Sequence, residues 1–359
     1  MRIFSFSIFI FVLICLLSVS SFPQNQEPIQ NSVNTPAAKW SIEAVISSVD
    51  DKILELADGA IKLDISNTSI STHKHTVIKG VIYSDRISFP SEFLTPNLSV
   101  GITSKLTENK NTRQLVQPES IYFTPPNICE FNGNLQAVDI KARTIKVLGQ
   151  TVLITNDTII MKCQGYCNST NLESLKTNTY VSMSVERKDG TLVARSIDQN
   201  PSNIYGGGGS SISGSILEVN ASVIKVLSPS LAFDTTKVKI TSLYNMDYKS
   251  NSVELASLKP DMKVSISFME QEGSFKPFSV NVTPSDDGRI IGYIEQVDLE
   301  NQALKVAGQK IFYTKETLFL YHGKKTDIES LTIGKKVNIN FKSINKKLFA
   351  LTDITIKDR

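Results

Sequence analysis

One pattern recurs four times along the chain and constrains its fold more than any single motif. It consists of an apolar residue, a very small residue two positions later, an aliphatic after two more, and then Val-Asp or Val-Asn. The copies are Ile42/Ala44/Ile46/Val49-Asp50, Phe131/Gly133/Leu135/Val138-Asp139, Ile212/Gly214/Ile216/Val219-Asn220 and Ile290/Gly292/Ile294/Val297-Asp298. Period-two alternation predicts a strand with one apolar face, and the small residue suits a bend or the close approach of another backbone. The closing Asp or Asn starts a turn.

A second strand follows each time, at residues 53–56, 144–147, 223–226 and 303–306. Gly59, Gly149 and Gly308 then break the chain before a third strand, and Ser228-Pro229-Ser230 stands in their place in copy three, so each copy contains a hairpin. Further on come Leu94/Asn97/Val100, Leu175/Asn178/Val181, Leu258/Asp261/Val264 and Leu331/Gly334/Val337. Gly, Asn and Asp most readily adopt positive φ, so Asn97, Asn178, Asp261 and Gly334 are predicted to end a single helical turn and release a strand. Two closing strands finish each copy, clearest on either side of Lys188-Asp189-Gly190.

Five or six strands with one exposed apolar face would aggregate as a flat sheet, whereas a ring buries that face. The predicted class is therefore all-β, with four tandem small OB-like β-barrels and one short helical turn in each. Their expected bounds are 40–124, 129–199, 212–283 and 289–357. The junctions are 124–127, the linker 200–211 containing Gly206, Gly207, Gly208 and Gly209, and 283–288.

This pattern resembles a bacterial family of exported all-β modules known as domain of unknown function 5666. The resemblance rests on the Gly-x-Ile/Leu strand, on Val147-Leu148-Gly149-Gln150 and Val306-Ala307-Gly308-Gln309, on the Leu-x-x-Gly/Asn/Asp-x-x-Val segment, and on the run from Asp189 to Ala194. Copy two matches best, and copy one departs most, with Ala44 in place of glycine. The resemblance implies a fold and brings no assigned chemistry.

Residues 1–20 have the layout of a secretory signal: Arg2, an apolar stretch over 3–17, then Ser18, Ser20 and Ser21. The stretch is shorter than a membrane span, and Ile14 before Cys15 does not suit a lipoprotein signal. Residues 21–39, rich in Pro, Gln, Asn and Ser, read as a flexible leader. The mature chain is thus expected to have no membrane span and to be exported to the periplasm, the cell surface or the medium, where disulfides persist. Cys163 and Cys167 are expected to form a local disulfide, leaving Cys129 as a free thiol or an intermolecular bridge. Zinc is the alternative, but no paired CxxC or adjacent histidine completes its ligands.

Lysines and arginines number 38 against 35 acids, a net charge of +3, so nucleic acid is not the expected partner. No GxGxxG, GxSxG, HExxH, EF-hand or Walker A pattern occurs, and the Gly206 run reads as a linker, not a phosphate loop. No catalytic residue and no cofactor is assigned, and an enzyme is not expected. His73 and His75, alternate residues, form a weak metal candidate without a third ligand, and read more simply as part of a polar loop. Copy four carries Phe312, Tyr313, Phe319 and Tyr321 with Lys324, Lys325, Lys335, Lys336, Lys346 and Lys347. Phe312, Tyr313 and Tyr321 are its ligand-face candidates, although alternation sends some of these rings inward. The expected role is structural, adhesive or spacer-like at the cell envelope, with a protein or glycan partner. The alternative is glycan or polymer binding on a barrel face, and metal-assisted hydrolysis at His73 and His75 is least favoured.

Overall fold

A computed structural model describes residues 39–359, apart from 79–80, 90, 106–116, 165, 200–208, 229–230, 245–251, 272–273 and 358–359. The signal, most of the leader and Gly206 to Gly208 lie outside the described residues. Unit 1 comprises β1 (Lys39–Val49), β2 (Ile53–Leu56), β3 (Ile61–Asp64), β4 (Ser69–Ile78), β5 (Val81–Ser88), β6 (Ser99–Lys105) and β7 (Ser120–Phe123). Unit 2 comprises β8 (Ile128–Asp139), β9 (Thr144–Val147), β10 (Gln150–Leu153), β11 (Ile159–Gln164), β12 (Tyr166–Ser169), β13 (Tyr180–Lys188) and β14 (Thr191–Gln199). Unit 3 comprises β15 (Ser210–Asn220), β16 (Val223–Val226), β17 (Ala232–Asp234), β18 (Ile240–Ser242), β19 (Lys263–Gln271) and β20 (Ser274–Val282). Unit 4 comprises β21 (Asp287–Asp298), β22 (Ala303–Val306), β23 (Gln309–Phe312), β24 (Leu318–Tyr321), β25 (Lys324–Thr326), β26 (Lys336–Ile344) and β27 (Lys347–Lys357). Each unit carries one three-residue 3-10 turn, at Ser91–Phe93, Leu172–Ser174, Leu255–Ser257 and Ile328–Ser330. The protein is all-β.

Local chemistry accounts for the connections. Asp50 and Asp139 each accept backbone N–H groups through Oδ1, from Ile53 at 2.7 Å and Ala142 at 2.9 Å, and so turn the first strand into the second. The next hairpin has positive φ at two successive residues, 52° and 71° at Leu148 and Gly149, 53° and 73° at Ala307 and Gly308. This is the twist that a tight two-residue hairpin turn requires.

In unit 2, β8 pairs with β9, β9 with β10, β10 in parallel with β14, β14 with β13, and β13 again with β8, closing a five-stranded ring. Unit 4 closes in the same order through β21, β22, β23, β27 and β26. Closure pairs the strand edges that a flat sheet would leave open. In units 1 and 3, among the described residues, no ladder joins β3 to β7 or β17 to β20.

The expectation of four separate barrels is corrected here. β1 runs antiparallel to β21, from Ser41 opposite Ile291 to Ala44 opposite Gly288, and β8 runs against β15 from Asn132 opposite Ser211 to Glu130 opposite Ser213. The strands therefore join into one 14-stranded and one 13-stranded sheet. The buried apolar residues likewise form two clusters, one shared by units 1 and 4 and the other by units 2 and 3. The opening strands are 11 or 12 residues long. Their outer ends extend past the short hairpins and pair with another copy, covering an otherwise open edge. Residues 283–288 are accordingly no linker: Asp287 and Gly288 are buried at the start of β21. Ser210 and Ser211, expected in the glycine linker, belong to β15. The described residues from Lys39 onward group as one compact body. Among the described residues no helix is long and apolar enough to cross a membrane.

Candidate functional site

The four predicted turn residues have positive φ: 70° at Asn97, 59° at Asn178, 69° at Asp261 and 83° at Gly334. Each donates its N–H to the central aliphatic of its own opening strand, on Ile46, Leu135, Ile216 and Ile294, at 2.8–2.9 Å. The leucine before each is buried where the 3-10 turn ends. These residues lock the turn against the first strand, so their role is architectural.

The aromatic candidates of unit 4 divide between its two surfaces. Tyr313 is only 5% exposed and packs edge-on against Phe319 at 5.5 Å, which corrects its place among the ligand-face residues. Ile311 and Tyr313 point inward, so the intervening Phe312 points out. Its ring lies 5.4 Å from that of Phe349, tilted by 31°. Phe349 stands opposite Phe312 across the parallel β23–β27 pair and opposite Lys342 across β26–β27. The ammonium groups of Lys310 and Lys347 lie 5.2 and 5.8 Å from the Phe312 ring centre. Lys305, directly opposite Lys310, is 3.6 Å from Glu295, and Lys310 is 3.4 Å from Asp298. Backbone N–H donation from Asn301 holds the Asp298 carboxyl below its usual range. Tyr321 is 37% exposed on the β24–β25 hairpin, 4.3 Å from the His322 ring and 5.6 Å from the Lys335 ammonium. It is not part of the Phe312 cluster as defined by these contacts. Sequence reading missed Phe349, because a parallel register between distant strands leaves no local signature.

A second polar constellation lies where units 1, 3 and 4 meet. Asp287 is 2% exposed and accepts a short hydrogen bond from the Ser242 hydroxyl, while the Lys342 ammonium is 3.0 Å from Asp286 and 3.7 Å from Asp287. Burial pushes the Asp287 carboxyl up to about 6, with the Ser242 hydroxyl and Lys342 opposing the rise. Burial also raises the Tyr244 phenol, and the charge of Glu43 adds to this. Nearby, a cleft of about 1200 Å³ is lined by Glu43, Tyr122, Glu130, Glu186, Arg195 and Tyr244, among others. Its contacts with Ser242 of unit 3 and Lys342 of unit 4 make Asp287 an inter-unit clasp.

Cys129 is a free thiol, buried beside β15, and donates to the Ser213 carbonyl at 3.2 Å. Burial pushes this thiol well above the ordinary range. The backbones of Cys163 and Cys167 are directly opposite in the β11–β12 hairpin. His73 and His75 sit in β4 opposite Arg86 and Ser84, in a strand instead of the expected loop. The side chains of these four residues lie outside the described part. Among the described residues no group of three His, Cys, Asp or Glu is placed to hold a metal ion.

The family model described as "Domain of unknown function (DUF5666)" matches residues 132–198 and 291–352. These two stretches are similar to domains of that family, and they fall in units 2 and 4, where the five-stranded rings close. No curated protein matches the chain. Among solved structures it is similar to drosophila Unr CSD456, at 13% identity over 64% of this chain and 97% of that one, with a TM-score of 0.15, too low to carry a relationship.

Proposed function

We propose that the protein is an exported, non-enzymatic structural or adhesive element of the cell envelope, a stiff body made from four copies of one small β unit. The observation that carries this reading is the pair of inter-unit ladders, β1 with β21 and β8 with β15. Independent domains on flexible linkers bend at every linker, whereas main-chain hydrogen bonds across a boundary make neighbouring units resist load together. Units 2 and 4 are read here as OB-like barrels, because their ring order places the third strand parallel to the last. Units 1 and 3 are read as diverged copies that keep the turn and, among the described residues, lack one seam ladder.

The signal-like layout of residues 1–20 supports export. Fractionation of a bacterial host making the full chain tests it: a mature protein beginning after Ser20 or Ser21 outside the cytoplasm is expected, and intact chain confined to the cytoplasm overturns it. Calorimetry of the mature protein tests stiffness. One or two unfolding transitions are expected, corresponding to coupled pairs, and four independent transitions overturn the reading. Hydrolysis of a glycan or peptide that one substitution abolishes would replace the non-enzymatic role.

A further inference from the structure

Beyond the structural role, and independently of it, we propose that the outer face of unit 4 binds an acidic polysaccharide, with Lys310 and Lys347 holding its carboxylates beside the Phe312 and Phe349 rings. Alternation puts Lys310 and Phe312 on the outer face of β23, and Lys347 and Phe349 on that of β27. The parallel register, Ile311 opposite Leu348 and Phe312 opposite Phe349, brings both lysines to one ring, with their ammonium groups 5.2 and 5.8 Å from its centre. Lys305 lies across the ladder from Lys310. Like charges facing one another on a sheet repel, and an anion seated between them removes that penalty. Glu295 and Asp298 partly neutralise Lys305 and Lys310 from the β21 side. Lys347 rests on the Phe312 ring with no carboxylate in salt-bridge range among the described residues, so the uncompensated charge lies toward β27.

The ring fold does not require this arrangement. In unit 2 the matching strands place Leu153 opposite Val193 and Val193 opposite Glu186. Thr151 stands where unit 4 has Lys310 and Lys146 where it has Lys305, so the same architecture is built there without the aromatic pair or the facing lysine. Two half-buried phenyl rings among ammonium groups suit a ligand with both apolar ring faces and negative charge, as in a chain of uronic acid residues. Strands about 4.8 Å apart spread the contacts over more than one sugar. The choice of such a polymer over nucleic acid rests on the export reading above, which fractionation tests separately.

The test is titration of the mature protein with polygalacturonate fragments at low and high salt, beside dextran, inorganic polyphosphate and a thymidine oligonucleotide. Polygalacturonate is expected to bind more weakly as salt rises, and dextran not to bind. The double variant Lys310→Gln/Lys347→Gln, which alters only exposed side chains, is expected to weaken binding by about tenfold, as is Phe312→Leu/Phe349→Leu. Lys146→Gln in unit 2 is expected to leave it unchanged. Absence of polygalacturonate binding, indifference to the lysine variant, or equal binding of polyphosphate or the oligonucleotide overturns the proposal. None of these outcomes alters the number of unfolding transitions, so the structural reading stands or falls separately.

Discussion

Gly288 lies so close to Glu43, where β21 meets β1, that a methyl group on it would stand 2.7 Å from the Glu43 carbonyl oxygen, as well as against the Phe341 ring. Backbone cannot move aside as a flexible side chain can. Gly288→Ala should therefore force the ladder apart and cost about 1–3 kcal/mol. Gly149 has φ 71° but open space around it, so Gly149→Ala should cost only about 1 kcal/mol through backbone strain. Thermal unfolding of both variants checks the order, and an equal loss would show that the close packing at Gly288 adds nothing beyond backbone strain.

Asp287 should make stability depend on pH with an unusual sign. Its folded value is raised from 3.8 to about 6, so the native state binds the proton more tightly than the unfolded chain. The resulting stabilisation is complete below about pH 4 and is lost as pH rises through about 6, a change of about 3 kcal/mol. Exposed carboxylates held low by hydrogen bonds, such as Asp50 and Asp64, act in the opposite sense at lower pH. Comparing urea unfolding of the wild type and Asp287→Asn from pH 4 to pH 7 isolates the effect, and the two should differ in slope across that window.

Phe341 is fully buried in the core shared by units 1 and 4. Phe341→Ala should cost about 3–5 kcal/mol. Hydrogen exchange should accelerate in both units while units 2 and 3 keep their protection. Loss confined to unit 4 would contradict a shared interior.

Thiol counting separates the cysteines. Cys129 should resist alkylation in the native protein and react once it is denatured. With Cys163 and Cys167 directly opposite one another, peptide mapping without reductant should recover them joined, and two further reactive thiols in denatured, unreduced protein would exclude the disulfide.

Much of the architecture was legible because it depends on short-range chemistry. Alternation marked the opening strands, Asp50 and Asp139 marked their turns, and Asn97, Asn178, Asp261 and Gly334 stand at positions where the backbone has positive φ. The candidate face was only half legible. Phe312 could be picked out as an aromatic beside lysines, but neighbouring Tyr313 was chosen with it, and two adjacent strand residues cannot both face outward.

By itself, then, the sequence determined four copies of a β unit, their turns and the residues that each copy must bury, since periodicity and φ preference are properties of a few consecutive residues. Tertiary structure alone decided that unit 1 joins unit 4 and unit 2 joins unit 3, that the rings of units 2 and 4 close while no closing ladder appears among the described residues of units 1 and 3, and that Phe349 meets Phe312. Pairing between distant strands depends on which edges remain open after each unit has folded, and no local stretch of chain encodes that.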